Sequence, residues 1–327
     1  MLSGHWLNEG RPAAGAGTAA SGIAMAWGRV SGMPISAEVL ANPKAERIRR
    51  AGDLSNRKSR ERAGRFLIEG PQSVREAIAW HPGVVRDLYV QVASGAPDAP
   101  FANPTVAQLA GKALSAGVYV HKATRDVIAK ISSDAQGIVA VGDLGAMRDA
   151  MRYDGPSERP FVAAFWQVRD PGNAGTVIRA ADAAGCDAIV FVDECVDMFN
   201  PKVIRSTAGS LFHLPVLTMG TDEFLAWASE HGAGVIAADV YGTEGRPPQP
   251  LPDMLAGVDA EGGAAADRAG CAVLFGNEAR GLPAAILERA DRIVAIPLYG
   301  KAESLNLGTS AAVMLMSMAM SSRFGRM

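Results

Sequence analysis

Five polar residues, Asn173, Arg179, Glu278, Ser304 and Asn306, stand in three segments of the second half of the chain: Asn173-Ala-Gly-Thr-Val-Ile-Arg179, Gly276-Asn-Glu-Ala-Arg-Gly281 and Ile296-Pro-Leu-Tyr-Gly-Lys-Ala-Glu-Ser-Leu-Asn306. A guanidinium is a planar fork that suits phosphate. The neighbours of Arg179 at helical spacing include Gly175 and Ala183, which leave a shallow groove for that fork and a substrate backbone. Gly276 and Gly281 bracket Asn277 and Glu278, allowing a tight turn and close backbone approach to a ligand. Taken singly, each residue also has an ordinary structural role. Asn173 would cap a helix that opens at 170–173, Arg179 would be a solvated side chain, Glu278 a turn carboxylate and Ser304 the cap of the last helix. Their joint occurrence in this order points to a site.

Each segment follows an apolar run, so the three polar turns gather at the carboxyl ends of strands, where open α/β sheets bind ligands. Strands are predicted at 161–165, 188–192, 235–238, 271–275 and 292–296, alternating with helix-like segments, one of them closed by Gly185. That alternation specifies a parallel sheet covered on both faces. Upstream, 42–65 reads as one or two basic helices with a break near Gly52 and Asp53. A strand at 66–69, a turn at Gly70-Pro71, a helix at 72–79 and strands at 84–92, 118–121 and 137–141 complete a small α/β domain spanning 34–144. Residues 145–160 read as a linker to a second domain at 161–327. The Gly/Pro/Ala-rich stretch 241–270 is too long for an ordinary connection and, with little apolar content to dock, reads as a mobile insertion.

A net charge of −2 over 327 residues gives no global attraction to nucleic acid, so any affinity for RNA must be local. Between 42 and 65, Lys44, Arg47, Arg49, Arg50, Arg57, Lys58, Arg60, Arg62 and Arg65 stand against Glu46, Asp53 and Glu61, a local charge of +6. Lys44, Arg47, Arg50, Arg57, Lys58 and Arg60 are the candidate RNA contacts. The three cysteines are widely spaced and the five histidines do not pair at ligand spacing, which predicts no metal and a reduced, cytoplasmic setting. No run reaches the roughly 18 apolar residues of a membrane helix. The methionine-rich stretch 305–320 is interrupted by Asn306, Thr309, Ser310 and Ser317 and reads as core or dimer-face filler. Residues 1–33 are Gly/Ala-rich without the features of a signal peptide, and read as a disordered extension or an upstream start before Met33. Their Gly15-Ala-Gly17 segment follows no strand, so a dinucleotide-dependent dehydrogenase is a poor fit.

The segments 170–185, 273–282 and 296–306 resemble, in order, the three motifs of the SpoU (TrmH-like) RNA ribose 2′-O-methyltransferases. The stretch from Asn42 through Ala77 resembles the substrate-binding domain of that family's ribosomal-RNA branch, and the similarity covers roughly 35–322. The 241–270 insert and Gly308 fit the pattern less well. The resemblance implies a carboxyl-terminal α/β domain with a deep trefoil knot, preceded by a smaller RNA-binding α/β domain. It implies S-adenosylmethionine held by Gly276, Asn277, Ile296, Leu298 and Leu305. Arg179 would be the central catalytic residue, with Asn173, Glu278, Ser304 and Asn306 shaping the site. A homodimer packed through the last helix, acting on ribosomal RNA, is likewise implied. The alternatives are the same chemistry on transfer RNA, or a non-catalytic RNA-binding protein on the same scaffold.

Overall fold

The computed structural model describes residues 35–153, 155, 159–257 and 270–323. The expected extension over 1–33, with its Gly15 segment, lies outside the described residues, as do parts of the expected linker and insertion.

In the first half, the elements run α1 (Glu46–Gly52), α2 (Arg57–Ala63), β1 (Arg65–Glu69), α3 (Gly70–Trp80), β2 (Val85–Gln91), α4 (Pro104–Ser115), β3 (Tyr119–Ala123), α5 (Arg125–Ile131), β4 (Ile138–Asp143) and α6 (Leu144–Ala150). The basic stretch breaks where expected. Gly52 ends α1, a short 3-10 turn covers Asp53–Ser55, and the Asn56 side chain accepts from the Lys58 amide to start α2. The four strands form a mixed sheet in the order β1-β4-β2-β3. Helix α6 occupies the first part of the segment expected to be a linker, because Asp143 caps it and Leu144 and Met147 bury against the core.

In the second half follow β5 (Phe161–Trp166), α7 (Pro171–Ala184), β6 (Ala188–Val192), α8 (Pro201–Ser206), β7 (Val216–Met219), α9 (Thr221–Glu230), β8 (Ala233–Ala238), β9 (Gln249–Pro250), α10 (Leu251–Leu255), β10 (Gly270–Phe275), α11 (Ala284–Leu287), β11 (Arg292–Ala295) and α12 (Leu307–Arg323). The strands form one sheet in the order β7-β6-β5-β10-β8-β11-β9, every pairing parallel. The five strands expected from the sequence are all present. The strands β7 and β9, four and two residues long, are too short to stand out in the sequence. The late strand β10 inserts between β5 and β8, so the chain changes direction across the sheet where the site lies.

Side chains alternate across the two faces of this sheet. Ala163, Phe165, Val273 and Phe275 join the core beneath α7 and α12, while Val162, Ala164, Ala272 and Leu274 pack with Phe224, Ile286 and Leu287 on the other face. Phe165 and Phe275 stack at 5.2 Å between ring centroids, just below the polar loops. Of the methionines in α12, Met314 is buried, Met316 and Met318 pack half-buried against the core, and Met320 is exposed. No helix among the described residues is long and apolar enough to cross a membrane.

The described part of the expected mobile insertion is docked. Strand β9 pairs with β11, Leu251 of α10 is buried, and Arg246 donates to the carbonyls of Leu287 and Glu288 (2.8 and 2.9 Å) and of Ala290 (2.8 Å) at the end of α11. A single arginine satisfying the free carbonyls of a short helix anchors a segment that has little apolar surface of its own.

The two sheets share a continuous hydrophobic core and are joined by charge. The Arg60 guanidinium, 2% exposed, bonds the carbonyls of Leu54 and Ser55 and pairs with Asp197 at 2.6 Å; Arg205 of α8 pairs with Glu69 of β1. Removing one partner of a buried pair strands the other charge. We expect Arg60→Ala to destabilise the protein by about 3–5 kcal/mol, whereas exposed Arg62→Ala changes stability by less than about 0.5 kcal/mol. Denaturant unfolding of the two variants checks this, and equal midpoints would refute it.

Candidate active site

After β5 the backbone turns through Gln167, whose φ of 51° lies in the left-handed region, and reaches Asp170. Asp170 caps α7: its side chain accepts from the Asn173 amide at 2.7 Å, and Pro171 takes the first helical position. The expected cap, Asn173, is therefore the third residue of the helix. Its side chain is released from capping and points across the sheet edge.

There it joins a chain of hydrogen bonds that connects all three segments. Asn173 Nδ2 donates to Glu278 Oε1 at 3.0 Å, and Asn306 Nδ2 donates to Asn173 Oδ1 at 3.0 Å. Asn306 Oδ1 in turn accepts from the amides of Gly308 and Thr309, at 2.9 and 3.4 Å. The polarity is forced from both ends. An ionised carboxylate only accepts and a backbone amide only donates, so each asparagine between them has one permitted orientation. Asn306, not Ser304, thus caps the last helix. Ser304 lies exposed two residues earlier.

Asn277 is buried; its Nδ2 donates to the Gln167 carbonyl at 2.7 Å, and its Oδ1 accepts from the Ala279 amide at 3.0 Å. The 276–281 loop closes on itself through Asn277 and Gly281, with Gly281 at φ 65°. A Cβ at Gly276 would fall 2.4 Å from the Gly281 carbonyl carbon, so only glycine permits this closure. Ile296, Leu298 and Leu305 are half-buried in the segment that returns from β11 to α12. Among the described residues, the backbone amides of 298–305 donate to no other backbone group. The segment therefore combines partly exposed apolar side chains with available donors.

Arg179 is not part of this cluster. It is exposed on α7, six residues beyond Asn173, a rise of about 9 Å along the helix. Among the described residues no acidic group lies within ion-pairing range of it. The groove expected beside it from Gly175 does not exist: Gly175 is buried, and a Cβ there would fall 1.8 Å from Ser206 Oγ. Its small size serves the close approach of α7 and α8. Gly308 plays the same part between α12 and α7, against Thr176.

The basic stretch is divided. Arg60 is buried in its structural pair and cannot contact RNA, which corrects the expectation for that residue. Arg50 and Arg57 are exposed but pair with Glu46 and Glu61 one helical turn away. Arg47 lies against Tyr89 and His121, bonding the Tyr89 hydroxyl at 3.1 Å. Lys44 and Lys58 are exposed. Asp170 and Gln167 were missed as organisers of the site. The Asp-Pro pair at a helix start could have identified the first, whereas no sequence signal marks a left-handed glutamine.

The fold and site together define an α/β protein whose ligand edge is crossed by a returning chain segment, with no glycine-rich turn after the first strand of the sheet. Residues 160–316 match the SpoU rRNA Methylase family, and residues 45–140 match the MRM3-like substrate binding domain. The chain belongs to the SpoU rRNA methylase family. It is 31% identical over 281 residues to the 23S rRNA (guanosine(2553)-2′-O)-methyltransferase RlmP of Bacillus subtilis, covering 84% of this chain and 97% of that protein. It is 26% identical to the 23S rRNA (uridine(2479)-2′-O)-methyltransferase of Streptomyces viridochromogenes, covering 80% and 85%. The AdoMet-bound rRNA methyltransferase structure from Sinorhizobium meliloti superposes with a TM-score of 0.68 at 27% identity, covering 88% of this chain and 98% of that one.

Two outcomes follow from the geometry. Asn306→Asp keeps the cap but loses the donor to Asn173, so it should retain thermal stability while lowering activity at least tenfold. Asn306→Ala should lose both, with about 0.5–2 kcal/mol of stability. Equal stability of the two variants in thermal unfolding would contradict the capping role. Beside the site, burial pushes the Cys195 thiol up to about 11; burial also raises Cys271, at the opposite, amino-terminal end of β10, to about 11. A raised thiol pKa means that the neutral form persists through pH 8 and the thiolate appears only towards pH 11. Alkylation of both by iodoacetamide at pH 8, followed by mass spectrometry, should run at least tenfold slower than for a free cysteine of pKa about 8.5.

Proposed function

We propose that the protein transfers a methyl group from S-adenosylmethionine to a ribose 2′-hydroxyl of 23S ribosomal RNA. The observation that carries this is the convergence of Asn173, Glu278 and Asn306 at the ligand edge of the sheet, in a chain whose relatives are named for that activity.

The residues assigned to the cofactor are Gly276, Asn277, Ile296, Leu298 and Leu305. Their features fit such a group: a loop that only glycine can close, available amides at 298–305 and half-buried apolar side chains for a planar base. When bound, S-adenosylmethionine supplies an electrophilic methyl group on a sulfonium. The chain's own residues must position the hydroxyl. A guanidinium with a pKa above about 12 does not act as a base, so Arg179 clamps the target phosphate and orients the hydroxyl, and the phosphate assists proton removal. Near-attack placement contributes up to roughly 7–11 kcal/mol. Asn173 and Asn306 hold Glu278 in place, and exposed Ser304 borders the site.

Arg179 stands apart from the polar cluster of its own chain, and the outer face of α12 carries partly or fully exposed Ala312, Val313, Met316 and Met320. Both features support a homodimer packed through α7 and α12, in which Arg179 of one chain serves the cluster of the other. The return of 296–306 across the sheet edge supports the knotted path of the family. Residues 34–144 form the RNA-binding domain, with Lys44, Arg47, Arg50, Arg57 and Lys58 as contacts, and the enzyme works in the cytoplasm on ribosomal RNA.

Labelled methyl transfer to 23S ribosomal RNA, with nuclease mapping of the product, tests this. Arg179→Ala should lower kcat/KM at least 100-fold while cofactor binding by calorimetry is retained. Arg179→Lys, which lacks the bidentate fork, should lose at least tenfold, and full turnover by it would sink the clamp.

A further inference from the structure

The described chain exposes four aromatic side chains, Tyr299, Tyr241, Trp80 and Tyr119. Trp80 and Tyr119 have ring partners, with centroids 5.1 Å from His213 and 4.6 Å from His121 respectively. Tyr241 and Tyr299 have no ring contact and no side-chain hydrogen bond among the described residues, and they are the most exposed, at 79% and 91%. Neither contributes to a core, so the folding of the chain does not account for them.

Both stand at the carboxyl edge that holds the site. Tyr241 follows β8 and Tyr299 follows β11, adjacent parallel strands paired Ala238 to Val294, with the Asp239 amide donating to the Val294 carbonyl at 3.1 Å. The loop carrying Tyr241 also borders the one carrying Glu278, since a Cβ on Gly281 would lie 3.4 Å from Asp239 Oδ2.

The backbone beneath Tyr241 is held firmly. Asp239 Oδ1 accepts from the Tyr241 and Gly242 amides, both at 2.8 Å, and Arg246 closes the same loop onto the end of α11. A fixed backbone that presents an open ring to solvent is the arrangement of a stacking platform. Exposed Arg280 and Lys301 lie on the neighbouring loops, with exposed Glu244 three residues from Tyr241 and exposed Glu303 four residues from Tyr299.

We propose that Tyr241 and Tyr299 are substrate-positioning residues that stack on unpaired bases of the RNA beside the target ribose. The proposal rests on the RNA-methyltransferase reading above. Sequence-specific recognition of RNA mostly targets loops and bulges, whose unstacked bases are splayed out and held on aromatic faces. Every base has a π-face, so stacking of this kind grips RNA without dictating its sequence.

The test uses the full chain and protein-free 23S ribosomal RNA, comparing wild type with Tyr241→Ala, Tyr299→Ala and Tyr299→Phe. Equilibrium RNA binding, methyl-transfer kinetics, calorimetric titration with S-adenosylmethionine and sedimentation are measured for each. Each alanine variant should weaken RNA binding and raise KM for RNA roughly tenfold, a typical stacking loss, with kcat within threefold, cofactor affinity unchanged and sedimentation unchanged. Tyr299→Phe should behave as wild type, because it keeps the ring. Unchanged RNA affinity in both alanine variants overturns the proposal, as does a loss confined to cofactor binding or to self-association. Failure of the wild-type protein to methylate any RNA would instead refute the function on which it rests, and the RNA-binding comparison still reads the platform separately.

Discussion

The constraint on which the site depends is the return of the chain from β11 to α12. Strands β8 and β10 lie between β11 and β5, so residues 296–306 must cross roughly 14 Å of sheet edge, three strand spacings of about 4.8 Å. One residue secures the far end. Asn306 caps α12 with its oxygen and grips Asn173 with its nitrogen, so helix start and site geometry are set by the same amide. Glycine at 175 and 308 lets α8 and α12 close onto α7, which holds Asn173 at the edge. An error in either helix contact would separate Asn173 from Glu278.

The late insertion of β10 between β5 and β8 serves the same end. It brings the 276–281 loop beside the turn after β5, where Asn277 fixes the Gln167 carbonyl and Glu278 meets Asn173. Burial of Phe165 and Phe275 as a stacked pair below these loops gives the polar chain a rigid floor. The polar residues are therefore held from beneath by packing and from the side by hydrogen bonds whose polarity admits one arrangement.

Charge plays two different parts in this chain. On α2, Arg57 and Lys58 face solvent, while Arg60 turns inward to Asp197 and ties the basic helices to the loop after β6. A seven-residue helix packed on a core cannot present every residue outward, and about half a turn of rotation separates exposed Lys58 from buried Arg60. The docking of the 241–257 segment follows the same logic, since Arg246 supplies by hydrogen bonding the attachment that its sparse apolar residues do not.

Much of this was legible in the sequence because it depends on local pattern. Apolar runs of strand length, alternating with helical segments, specified the parallel sheet, and the three polar turns after them marked the edge and most of its residues. Gly52, Gly185 and the single asparagine of each motif punctuate the chain by backbone chemistry that acts within a few residues. What the tertiary structure alone decided is which partner each polar group takes. Whether Asp170 or Asn173 caps α7, whether Ser304 or Asn306 caps α12, and whether Arg60 faces solvent or Asp197 depend on groups more than a hundred residues away as much as on near neighbours. Hydrogen-bond partners across a sheet edge are set by strand order, and strand order is settled only when the whole core closes.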